Sequence, residues 1–75
     1  MTKQKFTVII EKDEDGAYIG SVPDLKGCHS YGSSIDELIA NIKEAITAHL
    51  EVCKKENREV SFSRFSGVQE VEVEV

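Results

Sequence analysis

A chain of 75 residues has room for one small domain, which buries only about 60% of the surface that its unfolded chain exposes. Its 9 basic and 14 acidic residues give a net charge of −5. This argues against a free-standing nucleic-acid-binding domain, because phosphate contacts need a basic surface. The first residues show no signal peptide, and no apolar run reaches membrane-spanning length, so we expect a cytoplasmic protein whose two cysteines are reduced.

The first part of the chain predicts a β-hairpin. Residues 6–10 and 17–22 are rich in β-branched and aromatic side chains, which is typical of strands. The Asp-Gly pair within residues 13–16 predicts the turn between them, because glycine tolerates the positive φ that such turns need. Pro23 lacks a backbone donor and is expected to end the second strand.

A turn-rich link and a helix come next. Residues 23–28 (Pro-Asp-Leu-Lys-Gly-Cys) lead into a short third strand at about 28–31. Ser34 and Glu37 have the spacing of a capping box, which marks the start of a helix. Apolar residues then recur at helical spacing as far as Cys53, and we expect the helix to end near Asn57.

Residues 69–75 (Gln-Glu-Val-Glu-Val-Glu-Val) alternate glutamate with valine from Glu70 onward. This alternation predicts a final strand with the valines facing inward and the glutamates facing solvent. Residues 60–65 before it are mixed, either a short strand or an ordered loop, with Phe62 and Phe65 expected to anchor on the core. The predicted order β-β-β-α-β is an α+β two-layer sandwich, with one helix packed on an antiparallel-rich sheet and the other sheet face partly open.

The ordered combination of these elements resembles the HicB antitoxin family. It comprises a strand with Val8-Ile9-Ile10-Glu11, the Asp-Gly turn, a strand bearing a tyrosine, the segment 23–28 and a Ser-capped helix. The most specific piece is Pro-Asp-Leu-x-Gly-Cys between a hairpin and a helix, and the likeness runs from about Phe6 to the end. It implies a partial RNase H-like fold and an antitoxin that neutralises HicA, a small toxin that is similar to double-stranded-RNA-binding domains and cleaves mRNA with a histidine.

Many members of that family carry a C-terminal DNA-binding domain. This sequence ends at Val75, so we expect a single HicB-like domain over residues 1–75, without the operator-binding part and without direct nucleic acid binding. Short family members look the same.

No residue pattern predicts catalysis, a metal site or a cofactor. Cys28, Cys53, His29 and His49 lack the spacing of a zinc site, and a lone helical histidine is more often a packing residue than a catalytic base. The carboxylates fall at turns, in the first helical turn and on a solvent-facing strand, where structural roles explain them better than the paired metal ions of a nuclease. We therefore expect a protein that is not an enzyme.

The residues that we expect to contact a partner lie on the second strand, in the segment 23–28 and in the acidic last strand. Tyrosine is favoured at interfaces because it offers a large area with few rotamers, and an acidic row suits a basic toxin. The residues are Tyr18, Pro23, Asp24, Leu25, Gly27, Cys28, Glu70, Glu72 and Glu74. Structural alternatives stay open, since the loop residues could only shape a turn and the glutamates could only discourage edge-to-edge aggregation. The expected partner is a small basic HicA-like RNase toxin, and we also expect this chain to form homo-oligomers. The alternative is an orphan domain that only self-associates.

Overall fold

The computed structural model describes residues 3–57 and 64–75, which form three strands and one helix. The strands are β1 (Ile9–Lys12), β2 (Tyr18–Ser21) and β3 (His29–Gly32), and the helix is α1 (Ile35–Lys55). Both neighbouring strand pairs are antiparallel, in the order β1-β2-β3. The α+β class, with one helix on an antiparallel sheet, is confirmed.

The first hairpin closes as the Asp-Gly signal predicts. The Asp13 N–H donates to the Ala17 carbonyl at 2.8 Å, and the Asp13 Oδ1 accepts from the N–H groups of Asp15 and Ala17, both at 2.9 Å. Gly16 adopts a φ of 87°, which is the positive φ that a side chain would disfavour. One aspartate therefore fixes the turn that aligns β1 with β2.

The capping box forms, with one change of partner. The Ser34 Oγ accepts from the Glu37 N–H at 3.1 Å, as the motif requires. The Glu37 carboxylate, however, binds Ser33 instead of Ser34, accepting from its N–H at 3.3 Å and from its Oγ at 2.8 Å. Two consecutive serines thus share the start of α1, and this contact ties it to the end of β3.

The core lies between α1 and the part of the sheet formed by β2 and β3. Its buried residues are Val22, Leu25, Cys28, Leu38 and Ile42. Gly20 in the middle of β2 lets the helix approach closely, because an added Cβ would lie 3.1 Å from side-chain atoms of both Leu38 and Ile42. β1 makes no comparable contact with the helix within the described residues.

The predicted fourth strand over residues 69–75 is wrong for the chain as described. Residues 64–75 pair with no strand in the described structure, and all of them are exposed. Val71 and Val73, expected to face inward, are 77% and 69% exposed. Strict alternation defines two faces of a strand but does not specify the sheet edge that the strand would join.

The phenylalanine anchors expected before that strand have separate outcomes. Phe65 is 42% exposed, so its prediction as a core anchor is wrong. Phe62 lies outside the described residues.

Among the described residues, no helix combines the length and apolar character needed to cross a membrane.

Candidate functional site

The sheet has one face that the helix does not cover. Gly20 points at α1, so its neighbours Ile19 and Ser21 point to the other side. The strand register then aligns two rows of side chains on this open face. The rows are Glu11-Ile19-Tyr31 and Ile9-Ser21-His29.

Tyr31 is the most prominent aromatic side chain of the open face. It is 56% exposed, and its ring meets the exposed His29 ring edge to face, with the centroids 5.9 Å apart and the planes at 86°. The His29 Nδ1 lies 3.1 Å from the Gly27 carbonyl oxygen, which holds the imidazole in place. The half-buried Ile19 lies directly opposite Tyr31, and the half-buried Ile9 lies on β1, one strand further from the pair. The open face therefore offers an aromatic and aliphatic centre with a polar margin, as protein interfaces do.

The loop over residues 23–28 is closed by its own backbone. The Val22 N–H donates to the Cys28 carbonyl at 3.0 Å, and the N–H groups of Leu25 and Cys28 donate to the carbonyls of Val22 and Leu25, both at 3.1 Å. Leu25 is 1% exposed and Cys28 is 7% exposed, so both side chains belong to the core. This supports the alternative that Leu25 fills the core edge.

The remaining candidates in that loop are more accessible. Pro23 and Asp24 are half-buried, and Gly27 is exposed with a φ of 80°. The Asp24 Oδ2 accepts from the Thr7 N–H at 3.4 Å, which ties the loop to the chain that leads into β1. These three residues are accessible to a partner, whereas Leu25 and Cys28 anchor the loop by packing into the core.

Tyr18 lies on the helix side of the sheet. It is half-buried against the core, and the Lys12 Nζ lies 5.6 Å from its ring centroid. The structure therefore separates Tyr18 from the open face that carries Tyr31. Its contact with a partner stays a prediction.

Glu70, Glu72 and Glu74 are exposed, but they do not form the edge of a sheet in the described chain. Within the described residues, no hydrogen bond joins them to the loop over residues 23–28. A role for this acidic row in binding also stays a prediction.

One cavity is lined by residues that include both cysteines and both histidines, although the His29 ring packs against Tyr31 on the open face. Cys28, His29, His49 and Cys53 contribute to the lining of a space of about 300 Å³ between the loop and α1. Both thiols are free and buried, and burial raises the pKa of the Cys28 thiol above its usual range. Across residues 3–57 and 64–75, no three His, Cys, Asp or Glu side chains are arranged to hold a metal ion.

Fold and surface together define a small α+β domain with one uncovered sheet face. The family model described as a HicB-like antitoxin of bacterial toxin-antitoxin system matches residues 6–73. The chain belongs to this HicB-like antitoxin family.

Relatives of similar length come from distant organisms. A UPF0150 protein of Synechocystis sp. is 53% identical over 73 residues, which is 97% of this chain and 100% of the relative. A UPF0150 protein of Archaeoglobus fulgidus is 52% identical over 69 residues, covering 92% of this chain and 94% of the relative.

A solved structure of similar fold is the N-terminal domain of the antitoxin HicB from Burkholderia pseudomallei. It superposes with a TM-score of 0.70 at 36% identity, and the match covers 81% of this chain and 72% of that one. This confirms both the family resemblance and the fold class expected from the sequence.

Sequence reasoning missed Tyr31 as a candidate contact. The residue was assigned only to the end of a short strand, next to a glycine that breaks it. Its signal is the alternation along β3: Gly32 is pressed against the helix, so the residue before it must point to the open face.

Proposed function

We propose that this protein is an antitoxin that binds a HicA-type mRNA-cleaving toxin and neutralises it by occluding its active surface. Membership of the HicB-like antitoxin family supports an antitoxin role. The observation that carries the proposal is the open sheet face, which carries an exposed aromatic pair and the half-buried side chains of Ile9 and Ile19. The net charge of −5 suits a toxin that must be basic to hold RNA.

In this proposal the protein acts without catalysis, metal or cofactor, in the cytoplasm where the toxin meets mRNA. The open face supplies the central contacts, and Pro23, Asp24 and Gly27 supply a neighbouring contact. Leu25 and Cys28 act from the core by fixing that loop. The row Glu70, Glu72 and Glu74 attracts the basic surface of the toxin.

Co-purification with the product of a small basic open reading frame beside the gene tests the proposal. We expect a stoichiometric complex and relief of that product's toxicity when both are expressed. Tyr31→Ala should weaken the complex by at least about tenfold, as loss of a central aromatic contact does. The proposal fails if the adjacent product is not toxic, or if it is toxic and this protein neither binds nor silences it.

The acidic row has a matched control. Changing Glu70, Glu72 and Glu74 together to Lys should weaken toxin binding, because it replaces attraction by repulsion. Changing Asp36, Glu44 and Glu51 to Lys alters the net charge equally on exposed positions of α1. Equal affinities of the two triple variants would remove the acidic row from the docking surface.

A self-associating domain without a toxin is the second candidate. The outer edge of β1, which pairs with no further strand within the described residues, and the exposed valines of the last residues favour it. Recovery of only further copies of this chain, while the neighbouring gene is expressed, would favour this candidate over the antitoxin.

A further inference from the structure

The imidazole ring of His29 has a defined tautomer when it is neutral. Its Nδ1 lies 3.1 Å from the Gly27 carbonyl oxygen, and a carbonyl oxygen can only accept a hydrogen bond. Nδ1 is therefore the donor of this bond and carries the one hydrogen of the neutral ring. The other nitrogen, Nε2, is left as an acceptor without a hydrogen.

The Nε2 atom is available to a partner that docks on the open face. His29 is exposed, and no hydrogen bond within the described residues reaches this nitrogen. The residue opposite His29 is Ser21 on β2, and Ile9 lies beyond it on β1. Neither side chain carries a charge that would fix the protonation of the ring.

The backbone that carries the two rings of the open face is held by the helix. The Tyr31 ring meets the His29 ring with centroids 5.9 Å apart, and the Tyr31 carbonyl accepts a 2.7 Å hydrogen bond from the Asn41 Nδ2 on α1. A partner therefore meets a preorganised pair of rings, and little conformational freedom is lost when it binds them.

Charged and titratable side chains lie on each element around His29. They are Glu11 on β1, Tyr31 on β3, Lys26 and Cys28 in the loop, and His49 and Cys53 on α1. Histidine is the side chain that ordinarily changes its charge between about pH 5 and 8. His49 lines the cavity beside α1, so His29 is the histidine that can change the charge of the open face.

Protonation of His29 alters the chemistry of Nε2 without releasing the ring. Both nitrogens of an imidazolium are donors, so Nδ1 keeps its hydrogen bond to the Gly27 carbonyl. Nε2 turns from an acceptor into a donor, and the ring gains a positive charge beside the exposed Tyr31. One residue thus presents two opposite chemistries to a partner from the same position.

We propose that the unprotonated Nε2 of His29 accepts a hydrogen bond from a Lys or Arg side chain of the toxin, so that protonation of His29 weakens the complex. The inference rests on the proposed antitoxin function and assigns a pH-dependent contact to its docking surface. A basic partner feels both changes, because its cation loses an acceptor and meets a like charge. The exposed Glu11 on the same face and the net charge of −5 favour a cationic partner there.

Affinity for the purified toxin, measured on the full chain over a range of pH, tests this contact. We expect the dissociation constant to rise at least about tenfold from about pH 8 to about pH 5.5, because a hydrogen bond to a charged group is lost. His29→Gln keeps an acceptor at this position but takes up no proton in that range. The affinity of this variant should change much less with pH.

His49→Gln is the matched control, because His49 is the other histidine of the chain and lies on α1. This variant should keep the pH dependence of the natural protein. Titrating groups of the toxin are the same in every measurement, so a difference between the two variants belongs to this protein.

Nitrogen NMR of the imidazole rings supplies a second measurement that needs no variant. In the complex at about pH 8, where a histidine is ordinarily neutral, the Nδ1 of His29 should carry the hydrogen and Nε2 should carry none. A hydrogen on Nε2 under these conditions would overturn the proposed contact.

The outcomes separate this inference from the function on which it rests. Tight binding by the natural protein that does not change with pH would overturn the His29 contact and leave the antitoxin function standing. A His29→Gln variant with the full pH dependence of the natural protein would do the same. Absence of binding at every pH would overturn the antitoxin function and this contact together.

Discussion

Gly32, the last residue of β3, lies directly against the backbone of Leu38, whose side chain is completely buried. A Cβ atom at position 32 would lie 2.7 Å from the Leu38 Cα and 3.0 Å from the Ser34 carbonyl oxygen. Backbone atoms cannot move aside as a flexible side chain can. The absence of a side chain at Gly32 therefore sets how closely the first turn of α1 packs on the sheet.

Gly32→Ala should lower the free energy of unfolding by about 3 kcal/mol, at the upper end of the usual cost of overpacking. Gly20→Ala is the comparison, because its added methyl would meet only side-chain atoms of Ile42 and Leu38 at 3.1 Å, and we expect a cost of about 1 kcal/mol. Urea denaturation of both variants measures the difference. Equal losses would mean that the backbone contact at Leu38 is not the limiting one.

Ser34→Ala should cost about 1 kcal/mol of stability, because the Glu37 N–H loses its acceptor at the start of α1. Ser66→Ala, at an exposed position outside the helix, should leave stability unchanged. Thermal unfolding followed by circular dichroism compares the two variants. A neutral Ser34→Ala would show that Ser33 and Glu37 hold the helix start by themselves.

Substitution of the two tyrosines should have different effects on stability, because Tyr18 packs against the core and Tyr31 is exposed. Tyr18→Ala should cost about 2 kcal/mol because the ring packs against the core, whereas Tyr31→Ala should change stability by less than about 0.5 kcal/mol. Chemical denaturation of both variants tests this. The opposite order would place Tyr31, not Tyr18, in the packing of the domain.

The raised pKa of Cys28 predicts a loss of stability at alkaline pH. Burial favours the neutral thiol, so this stabilisation is complete below the ordinary thiol pKa of 9.0 and is lost as the pH rises through the higher folded-state pKa. Unfolding free energies of Cys53→Ala and of Cys28→Ala/Cys53→Ala, measured from neutral to alkaline pH, isolate the effect. The single variant should fall more steeply; parallel curves would contradict the assignment.

Local signals predicted the parts of the fold whose causes are local. Asp13 and Gly16, three residues apart, stabilise the turn of the first hairpin. Ser34 and Glu37 stabilise the start of α1 in the same local way. The predicted ends of strands were less accurate where pairing with a neighbouring strand determines them. The first strand starts at Ile9, later than predicted, because pairing with β2 begins opposite Ser21.

The candidate site depended more on tertiary context. The segment 23–28 is informative as a family pattern, but only the fold shows that Leu25 and Cys28 point into the core. Residues 69–75 have a clear strand pattern, yet their pairing requires an edge that none of these residues specifies. Tyr31 can be recognised as a surface residue of the open face only once the fold shows that Gly32 packs against the helix.

The hydrogen bond from Asn41 to the Tyr31 carbonyl has a consequence for templated growth. A sheet with two bare edges can recruit chains at both ends, which is the first step of fibril formation. Within the described residues, the Asn41 side chain on α1 occupies one acceptor on the β3 edge, so a strand added there would compete with an existing hydrogen bond. The helix thus makes this edge of the sheet less favourable for recruiting another chain.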